Sequence, residues 1–225
     1  VIPPHCNDEG LSLGAIEYLR IKNKLKPFNL EKFPFCQLDE TPKENISNDT
    51  IKKVAGLLSK GYIVATYQGN GEIGPRALGN RSILMNPTLP NAKERINLIK
   101  KRENYRPFGC SILKEFALDY FDVEFENDHM LYVGKPKDSN LKSITHTDGT
   151  CRFQTVDNTN KYFYSLIKEF HKLTGCPILL NTSFNINGKP ILASTEDAIN
   201  FYNKSEIDYL VVGDKIYNKK GGSPI

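Results

Sequence analysis

The chain has 225 residues, of which 39% are hydrophobic and 25% charged, and a formal net charge of +4. These values are typical of a soluble globular protein with one large domain, or with one domain and a small appendage. No apolar run approaches the roughly 18 residues that span a bilayer, no signal peptide is visible and the lysines are scattered, so we expect a cytoplasmic protein that binds neither membrane nor nucleic acid.

Five cysteines lie far apart without a Cys-x-x-Cys pair, and the four histidines are isolated from one another. Their odd number and wide spacing indicate reduced thiols. A zinc site is not expected, because no cluster of ligands has the required spacing.

Residues 1–26 are expected to form a loop that enters a mostly apolar helix, with turn and cap residues just before Leu11. This helix has little in the chain to pack against, so we assign it to a neighbouring domain. Because the chain starts at Val1 rather than at a methionine, we expect it to be a piece of a longer polypeptide. Residues 27–47, with three prolines, are predicted to be an irregular linker.

Helices and strands alternate through the rest of the chain. Helices are predicted from Asn48 or Asp49 to Gly61 and at about 91–102, 114–121, 160–173 and 195–203. Strands are predicted at 62–67, 81–85, 109–113, 130–133, 151–156, 177–180, 209–212 and 215–217. This pattern predicts an α/β or α+β domain built on a twisted sheet.

A glycine-rich segment follows the first of these strands. Residues 69–82 contain four glycines, two arginines, an acid and a proline. Such a loop lets backbone N–H groups approach an anion, and Arg76 and Arg81 have the planar fork that fits a phosphate or a carboxylate. A tight turn with two solvated arginines is the structural alternative.

Three further polar segments stand next to predicted strands, where sheet proteins commonly bind ligands. They lie at 100–106, 146–152 and 181–185. Each has a simpler explanation: Lys100 at a solvated helix end, Arg152 on the water-facing side of a strand, Asn181 and Ser183 as turn residues. His146 alone is a weak candidate for a base.

Five motifs in order resemble those of O-carbamoyltransferases of the nodulation and antibiotic-tailoring type. They lie at residues 71–84, 100–108, 147–156, 180–185 and 208–214, and the resemblance covers about residues 48–217. It implies a YrdC-like domain at 48–225, a twisted mixed sheet with flanking helices, that makes carbamoyl adenylate. It also implies that residues 1–26 are the C-terminal remnant of an actin/hsp70-type ATPase domain, joined by the linker at 27–47.

The resemblance implies a reaction of ATP, carried with Mg²⁺, and carbamoyl phosphate that gives carbamoyl adenylate and pyrophosphate. Transfer to a hydroxyl of a sugar or natural product would need the missing N-terminal domain and its iron. Asp8 matches an iron ligand of that domain, but one carboxylate holds iron poorly, so this chain alone should bind none. Members of the family often form homodimers.

The catalytic residues implied are four cations that would clamp the polyanionic substrates: Arg76, Lys100, Arg106 and Arg152. Asn181, Ser183, Glu72 and Arg81 are predicted to bind substrate. Two alternatives remain open: a threonylcarbamoyl-adenylate synthase that uses threonine and bicarbonate in tRNA modification, and a non-catalytic domain that docks on a partner.

Overall fold

The computed structural model describes residues 10–27, 35–36, 46–186 and 188–219. The α-helices within these ranges are α1 (Leu11–Lys22), α2 (Asn48–Ser59), α3 (Ala92–Ile99), α4 (Ala117–Tyr120), α5 (Lys161–Thr174) and α6 (Thr195–Asn203). The strands are β1 (Phe35–Cys36), β2 (Val64–Tyr67), β3 (Gly71–Glu72), β4 (Arg81–Met85), β5 (Gly109–Leu113), β6 (Phe121–Asp122), β7 (Val133–Pro136), β8 (Cys151–Val156), β9 (Ile178–Ser183), β10 (Tyr209–Val212) and β11 (Lys215–Asn218).

Nine of these strands form one mixed sheet in the order β11-β10-β2-β4-β9-β5-β8-β7-β6. The pairs β10–β2 and β5–β8 are parallel, and the other pairs are antiparallel. The prediction of an α/β domain on a mixed sheet is therefore confirmed. β1 and β3 pair separately, so residues 35–36 of the predicted linker lie against the glycine-rich segment.

One edge of the sheet collects all four polar segments. The registers Tyr67↔Arg81 and Ser82↔Ser183 place the end of β2, the start of β4 and the end of β9 side by side. β5 runs antiparallel to β9 and parallel to β8. The strands β5 and β8 therefore begin at the edge where β9 ends. Segments that are far apart in the sequence therefore meet where these strands start and end.

The core lies between the sheet and its helices. In α2 the Ser47 hydroxyl caps the helix by accepting the N–H of Thr50. α2 packs on α5, which begins at an Asn160 cap and ends at Gly175 with φ 74°. Both helices turn apolar side chains at helical spacing into the core, including Val54, Leu58, Phe163, Leu166 and Phe170.

The strand predicted at 130–133 is displaced to Val133–Pro136, and side-chain hydrogen bonds explain the shift. The Asn127 Oδ1 accepts the N–H of Leu131 at 2.9 Å, and its Nδ2 donates to the Tyr132 carbonyl at 3.0 Å. These bonds keep 131–132 out of the strand, because a side chain satisfies backbone groups that a strand partner would otherwise take. The predicted helix at 114–121 also divides, into a 3-10 turn at Lys114–Phe116 followed by α4.

The first helix differs from the others because none of its residues is buried. Leu11, Ile16, Tyr18, Leu19 and Ile21 are all exposed. In the described ranges, no helix combines the length and the apolar character needed to cross a membrane.

Candidate functional site

The glycine-rich loop between β2 and β4 is held by one buried carboxylate. The Oε1 of Glu72 accepts the backbone N–H groups of Leu78, Asn80 and Arg81 at 2.9, 2.9 and 3.1 Å. Burial raises the pKa of the Glu72 carboxyl, whereas these N–H groups and the charge of Arg81 oppose the rise. We predicted a substrate contact for Glu72, and the structure shows its bonded oxygen turned to the loop itself.

Arg81 is fully buried beneath the same loop. Its guanidinium donates to the carbonyl groups of Gln68 and Gly69 and lies 3.6 Å from the centroid of the Tyr67 ring. These contacts fix the bend at the end of β2. Arg81 was also predicted to bind substrate, and the contacts named above are with the start of the glycine-rich loop and with the Tyr67 ring.

A buried polar network joins the loop to the centre of the sheet. The Nδ2 of Asn181 donates to the Ala77 carbonyl at 3.1 Å and to the Ser111 Oγ at 2.9 Å. Ser111 donates to the Oε1 of Gln154, whose Nε2 donates to the Leu78 carbonyl. Three adjacent strands thus fix two loop carbonyls, while the buried Oδ1 of Asn181 has no hydrogen-bond partner among the residues that the structure describes.

Lys100 directly follows α3 and reaches across to the last residue of β9 and the loop after it. Its Nζ donates to the Ser183 carbonyl at 2.5 Å, to the Ser183 Oγ at 3.2 Å and to the Asn185 Oδ1 at 2.7 Å. Burial, together with the charges of Arg102 and Arg106, lowers the pKa of Lys100 to about 7. The alternative that Lys100 lies at a solvated helix end is therefore wrong, since only 3% of the residue is exposed.

Arg102 and Arg106 belong to the bend between α3 and β5. Arg102 lies over the Phe108 ring, 4.3 Å from its centroid, and its Nε donates to the Asn97 Oδ1 at 2.6 Å. Burial lowers the pKa of Arg102 to about 10, and the charges of Arg106 and Arg152 act in the same direction. The positive charge of Arg106 therefore acts against that of Arg102.

Arg152 lies near the start of β8 and is half-buried, so it does not simply face water. Its Nε is buried and forms no hydrogen bond with the residues that the structure describes. Burial and, to a smaller extent, the charge of Arg76 lower the pKa of Arg152 to about 10. Its positive charge also helps burial to lower the pKa of His146.

These neighbour effects link five cations at one edge of the sheet. We name Arg76, Lys100, Arg102, Arg106 and Arg152 the cation cluster. The charge of Arg76 lowers the pKa of Arg152, and the charge of Arg152 lowers that of Arg102. The charge of Arg106 lowers the pKa of both Arg102 and Lys100. Like charges held together in a partly buried region are suited to a polyanionic ligand.

No group of three or more His, Cys, Asp or Glu side chains in the described part of the chain could hold a metal ion. Asp8, the predicted iron ligand, lies outside the described residues. The residues described here therefore do not fit a protein-bound metal, and we assign no step to one.

Two parts of the site differ in how clearly the sequence indicates them. Arg102 is in a predicted polar segment, but nothing in its spacing shows that Asn97 and Phe108 hold it. Ser111 and Gln154 leave a clearer signal, because both are polar residues within strands that are otherwise buried. Charge effects on pKa values link the predicted cations Arg76, Lys100, Arg106 and Arg152 to one another through Arg102. Their catalytic role stays a prediction.

Comparison with known proteins gives the family. Residues 55–219 match the family model described as "Carbamoyltransferase C-terminus". The chain is 42% identical over 185 residues to the nodulation protein NolNO of Sinorhizobium fredii, covering 79% of the chain and 27% of that protein. It is 38% identical over 172 residues to 3'-hydroxymethylcephem-O-carbamoyltransferase of Streptomyces clavuligerus, covering 76% of the chain and 33% of that enzyme.

Among solved structures, Sua5 of P. abyssi complexed with L-threonine superposes with a TM-score of 0.55 at 21% identity, covering 75% of this chain and 48% of Sua5. This likeness confirms the predicted YrdC-like fold. The chain spans only about a quarter to a third of the two curated relatives named here. By its sequence and its fold, the chain belongs to the carbamoyltransferase C-terminus family.

Proposed function

We propose that this domain activates a carbamoyl group by forming carbamoyl adenylate from ATP and carbamoyl phosphate. The cation cluster is the observation that carries the proposal. Both substrates are polyanions, and bringing them together requires several positive charges that are already in place. The family membership supports carbamoyl chemistry, and the O-carbamoyltransferase name of one relative supports a hydroxyl acceptor.

The reaction balances only if it releases both inorganic phosphate and pyrophosphate. The carbamoyl group separates from its phosphate with addition of water, which releases inorganic phosphate and carbamate. A carbamate oxygen then attacks the α-phosphorus of ATP, forming the new O–P bond, and the bond to pyrophosphate breaks. A Mg²⁺ ion bound to the nucleotide would neutralise charge on the leaving phosphates.

The residues of the chain would act mainly by position and charge. Arg76 and Arg152 would bind one phosphoryl group, while Arg106 and Lys100 would bind the other. The Ser183 Oγ accepts from Lys100 and donates to the Asn185 Oδ1 at 2.6 Å, so it would donate to a ligand only after turning away from Asn185. Asn181 would keep the glycine-rich loop in place. Glu72 and Arg81 would support this loop from beneath. Nothing in this scheme needs a nucleophilic side chain.

Replacing either Arg106 or Arg152 should strongly slow the formation of carbamoyl adenylate. Arg106→Ala and Arg152→Ala should each lose about 2–4 kcal/mol of transition-state stabilisation, the scale of one oxyanion donor. The measurement is carbamoyl-phosphate-dependent exchange of labelled pyrophosphate into ATP. Lys168→Ala, which removes an exposed cation from α5, is the control and should exchange like the parent chain.

The outcomes separate the proposal from its alternatives. Exchange by both arginine variants at the parent rate, with folding intact, would refute the clamp. Exchange that requires threonine and bicarbonate instead of carbamoyl phosphate would favour a threonylcarbamoyl-adenylate synthase. Failure of calorimetry to detect binding of either ATP or carbamoyl phosphate would favour a docking domain.

We also propose that the first helix belongs to another domain of the whole protein. Its exposed apolar side chains support this, because α1 has no buried residue in the described part of the chain. The relatives supply a reason, since most of their length lies outside the region they share with this chain. Transfer to the hydroxyl acceptor would take place in that neighbouring domain.

A further inference from the structure

The turn before β8 fixes the imidazole of His146. The Thr150 hydroxyl donates to Oδ1 of the exposed Asp148 at 2.7 Å and lies 3.3 Å from the His146 Nδ1. The backbone closes the same turn, because the N–H of His146 donates to the Thr150 carbonyl at 2.7 Å and the N–H of Gly149 donates to the His146 carbonyl at 3.0 Å. The ring therefore has a defined orientation.

These bonds determine which ring nitrogen of His146 carries the proton. The N–H and hydroxyl of Thr150 lower the pKa of the Asp148 carboxyl, so Asp148 is ionised and can only accept. The single hydroxyl proton of Thr150 is thus committed to Asp148, and its oxygen accepts from the His146 Nδ1–H. The Nε2 therefore presents a lone pair. This nitrogen is buried and forms no hydrogen bond with the residues that the structure describes.

The surroundings of the His146 ring keep it neutral. Burial lowers the pKa of His146 below its ordinary value of 6.5, and the charges of Arg152 and Lys93 act in the same direction. The backbone of Phe108 and the charge of Asp148 oppose this fall. The imidazole is therefore mostly unprotonated at neutral pH, where it can accept a proton.

The imidazole lies at the edge of the sheet that holds the cation cluster. Phe108, whose backbone acts on the ring, directly precedes β5, and Arg152 is the second residue of β8. Arginine and protonated lysine can only donate hydrogen bonds, so the cluster itself offers no group that takes up a proton. The Nε2 of His146 supplies such a group beside it.

We propose that His146 is the general base for the attack of water on carbamoyl phosphate and that Thr150 and Asp148 hold its tautomer. This inference rests on the proposed function for its substrate. As the water oxygen bonds to the carbonyl carbon, one water proton passes to Nε2. The bond from that carbon to the phosphate oxygen breaks, and its electron pair stays on the phosphate. The proton then passes from Nε2 to the phosphate, and the carbamic acid formed ionises to carbamate.

Release of inorganic phosphate from carbamoyl phosphate by the full chain, with ATP present, measures this step. His146→Gln keeps a polar side chain without a basic nitrogen and should slow the release roughly 100-fold or more. His129→Gln is the matched control, because it removes another half-buried imidazole, near the opposite end of β8, and should leave the rate unchanged. Release at the parent rate by His146→Gln would overturn the proposal.

Carbamate, supplied as ammonium carbamate, distinguishes a missing base from a damaged site. Carbamate enters the reaction after the attack of water, so carbamate-dependent exchange of labelled pyrophosphate into ATP should continue in His146→Gln at close to the parent rate. Loss of this exchange together with phosphate release would show that His146 supports the whole site, and it would overturn its role as the base.

The role of Thr150 is tested by two variants. Thr150→Val removes the hydroxyl with little change of volume and should slow phosphate release about tenfold, the equivalent of one hydrogen bond. Thr150→Ser restores a hydroxyl and should recover most of the rate. Equal rates of phosphate release in these two variants would contradict the positioning role.

Failure of this inference differs from failure of the proposed function. A parent chain that exchanges pyrophosphate with neither carbamoyl phosphate nor carbamate would contradict the proposed reaction and, with it, the inference. If the parent chain exchanges with both substrates and His146→Gln does the same at equal rates, only the inference is contradicted.

Discussion

Lys100 has a positive charge where burial and two neighbouring arginines oppose it. Its ammonium group nevertheless has three acceptors within 3.2 Å, on Ser183 and Asn185. With its pKa lowered to about 7, the side chain is divided between its charged and neutral forms at neutral pH. A bound anion favours the charged form, so ligand binding and protonation of Lys100 are linked.

We therefore expect the affinity for ATP, without metal, to fall as pH rises from about 7.5 to 9.5. Terminal phosphates lose their second proton near pH 6, so the ligand's charge is nearly constant in this range. One proton taken up on binding gives a slope of at most about tenfold per pH unit. Calorimetry in two buffers with different enthalpies of ionisation would measure the uptake directly.

Lys100→Met is the control for this pH dependence. It should bind more weakly at pH 7.5 and show a nearly flat profile up to pH 9.5. If the variant keeps the slope of the parent chain, the linked proton belongs to another group.

For single residues, the sequence predicted the position of the cations in the fold better than the contacts that their side chains make. The sequence places Arg76, Lys100, Arg106 and Arg152 in polar segments next to strands, which is where the structure has them. It does not reveal that Arg81 turns inward under Tyr67, because that depends on the direction of a side chain in the folded bend. An arginine in a loop has the same sequence signature whether it meets a ligand or a carbonyl.

Among the structural elements, the glycine-rich loop depends most on one position. Gly79 has φ 114°, which L side chains rarely adopt, and a Cβ there would lie 2.3 Å from Cδ1 of Phe163 in α5. The loop can therefore lie close to α5 only because this residue has no side chain.

Gly79→Ala should destabilise the protein by about 2–4 kcal/mol, the combined cost of backbone strain and overpacking. For a chain of this size, that lowers the Tm by roughly 5–15 °C. Differential scanning calorimetry would measure the change. Gly175→Ala isolates backbone strain, because Gly175 has φ 74° with open space around it, and it should cost only about 1 kcal/mol. Similar Tm values for both variants would contradict the steric argument.

Strong periodicity made most elements predictable. The strands β4, β5, β8 and β10 and the helix α6 were predicted with the bounds that the structure has. The two-residue strands β1, β3 and β6 were not predicted, because two residues carry no readable alternation. The order of strands in the sheet also could not be predicted from periodicity, since it depends on pairing between distant segments.

At the scale of the whole molecule, three thiols report on the integrity of the sheet. Cys110 on β5 and Cys151 on β8 are fully buried with their Sγ atoms 3.6 Å apart, and Cys176 is 7% exposed. Burial raises the pKa of Cys110 far above its usual value and that of Cys176 to about 11. Thiolate is the reactive form, so Cys110 and Cys176 should be inert while the fold is intact, and full burial shields the Cys151 thiol from reagents.

We expect a maleimide to label Cys110 and Cys151 only as fast as the molecule unfolds globally. Labelling followed by peptide mass spectrometry, at increasing urea concentrations, would show both sites becoming reactive together at the main unfolding transition. Cys110→Ser with Cys151 retained tests whether each thiol reports independently. Rapid labelling of either cysteine without denaturant would indicate that β5 and β8 separate locally.

The crowding of positive charge at one end of the sheet has a consequence for how the protein behaves in solution. In the absence of a ligand, mutual repulsion among the five cations works against the folded state, and the apolar core has to overcome it. Any polyvalent anion that settles among them relieves this repulsion and, by mass action, stabilises the native form. The Tm therefore depends on the anions in the buffer as well as on the polypeptide. A polyvalent buffer anion should raise the Tm, as a bound substrate should.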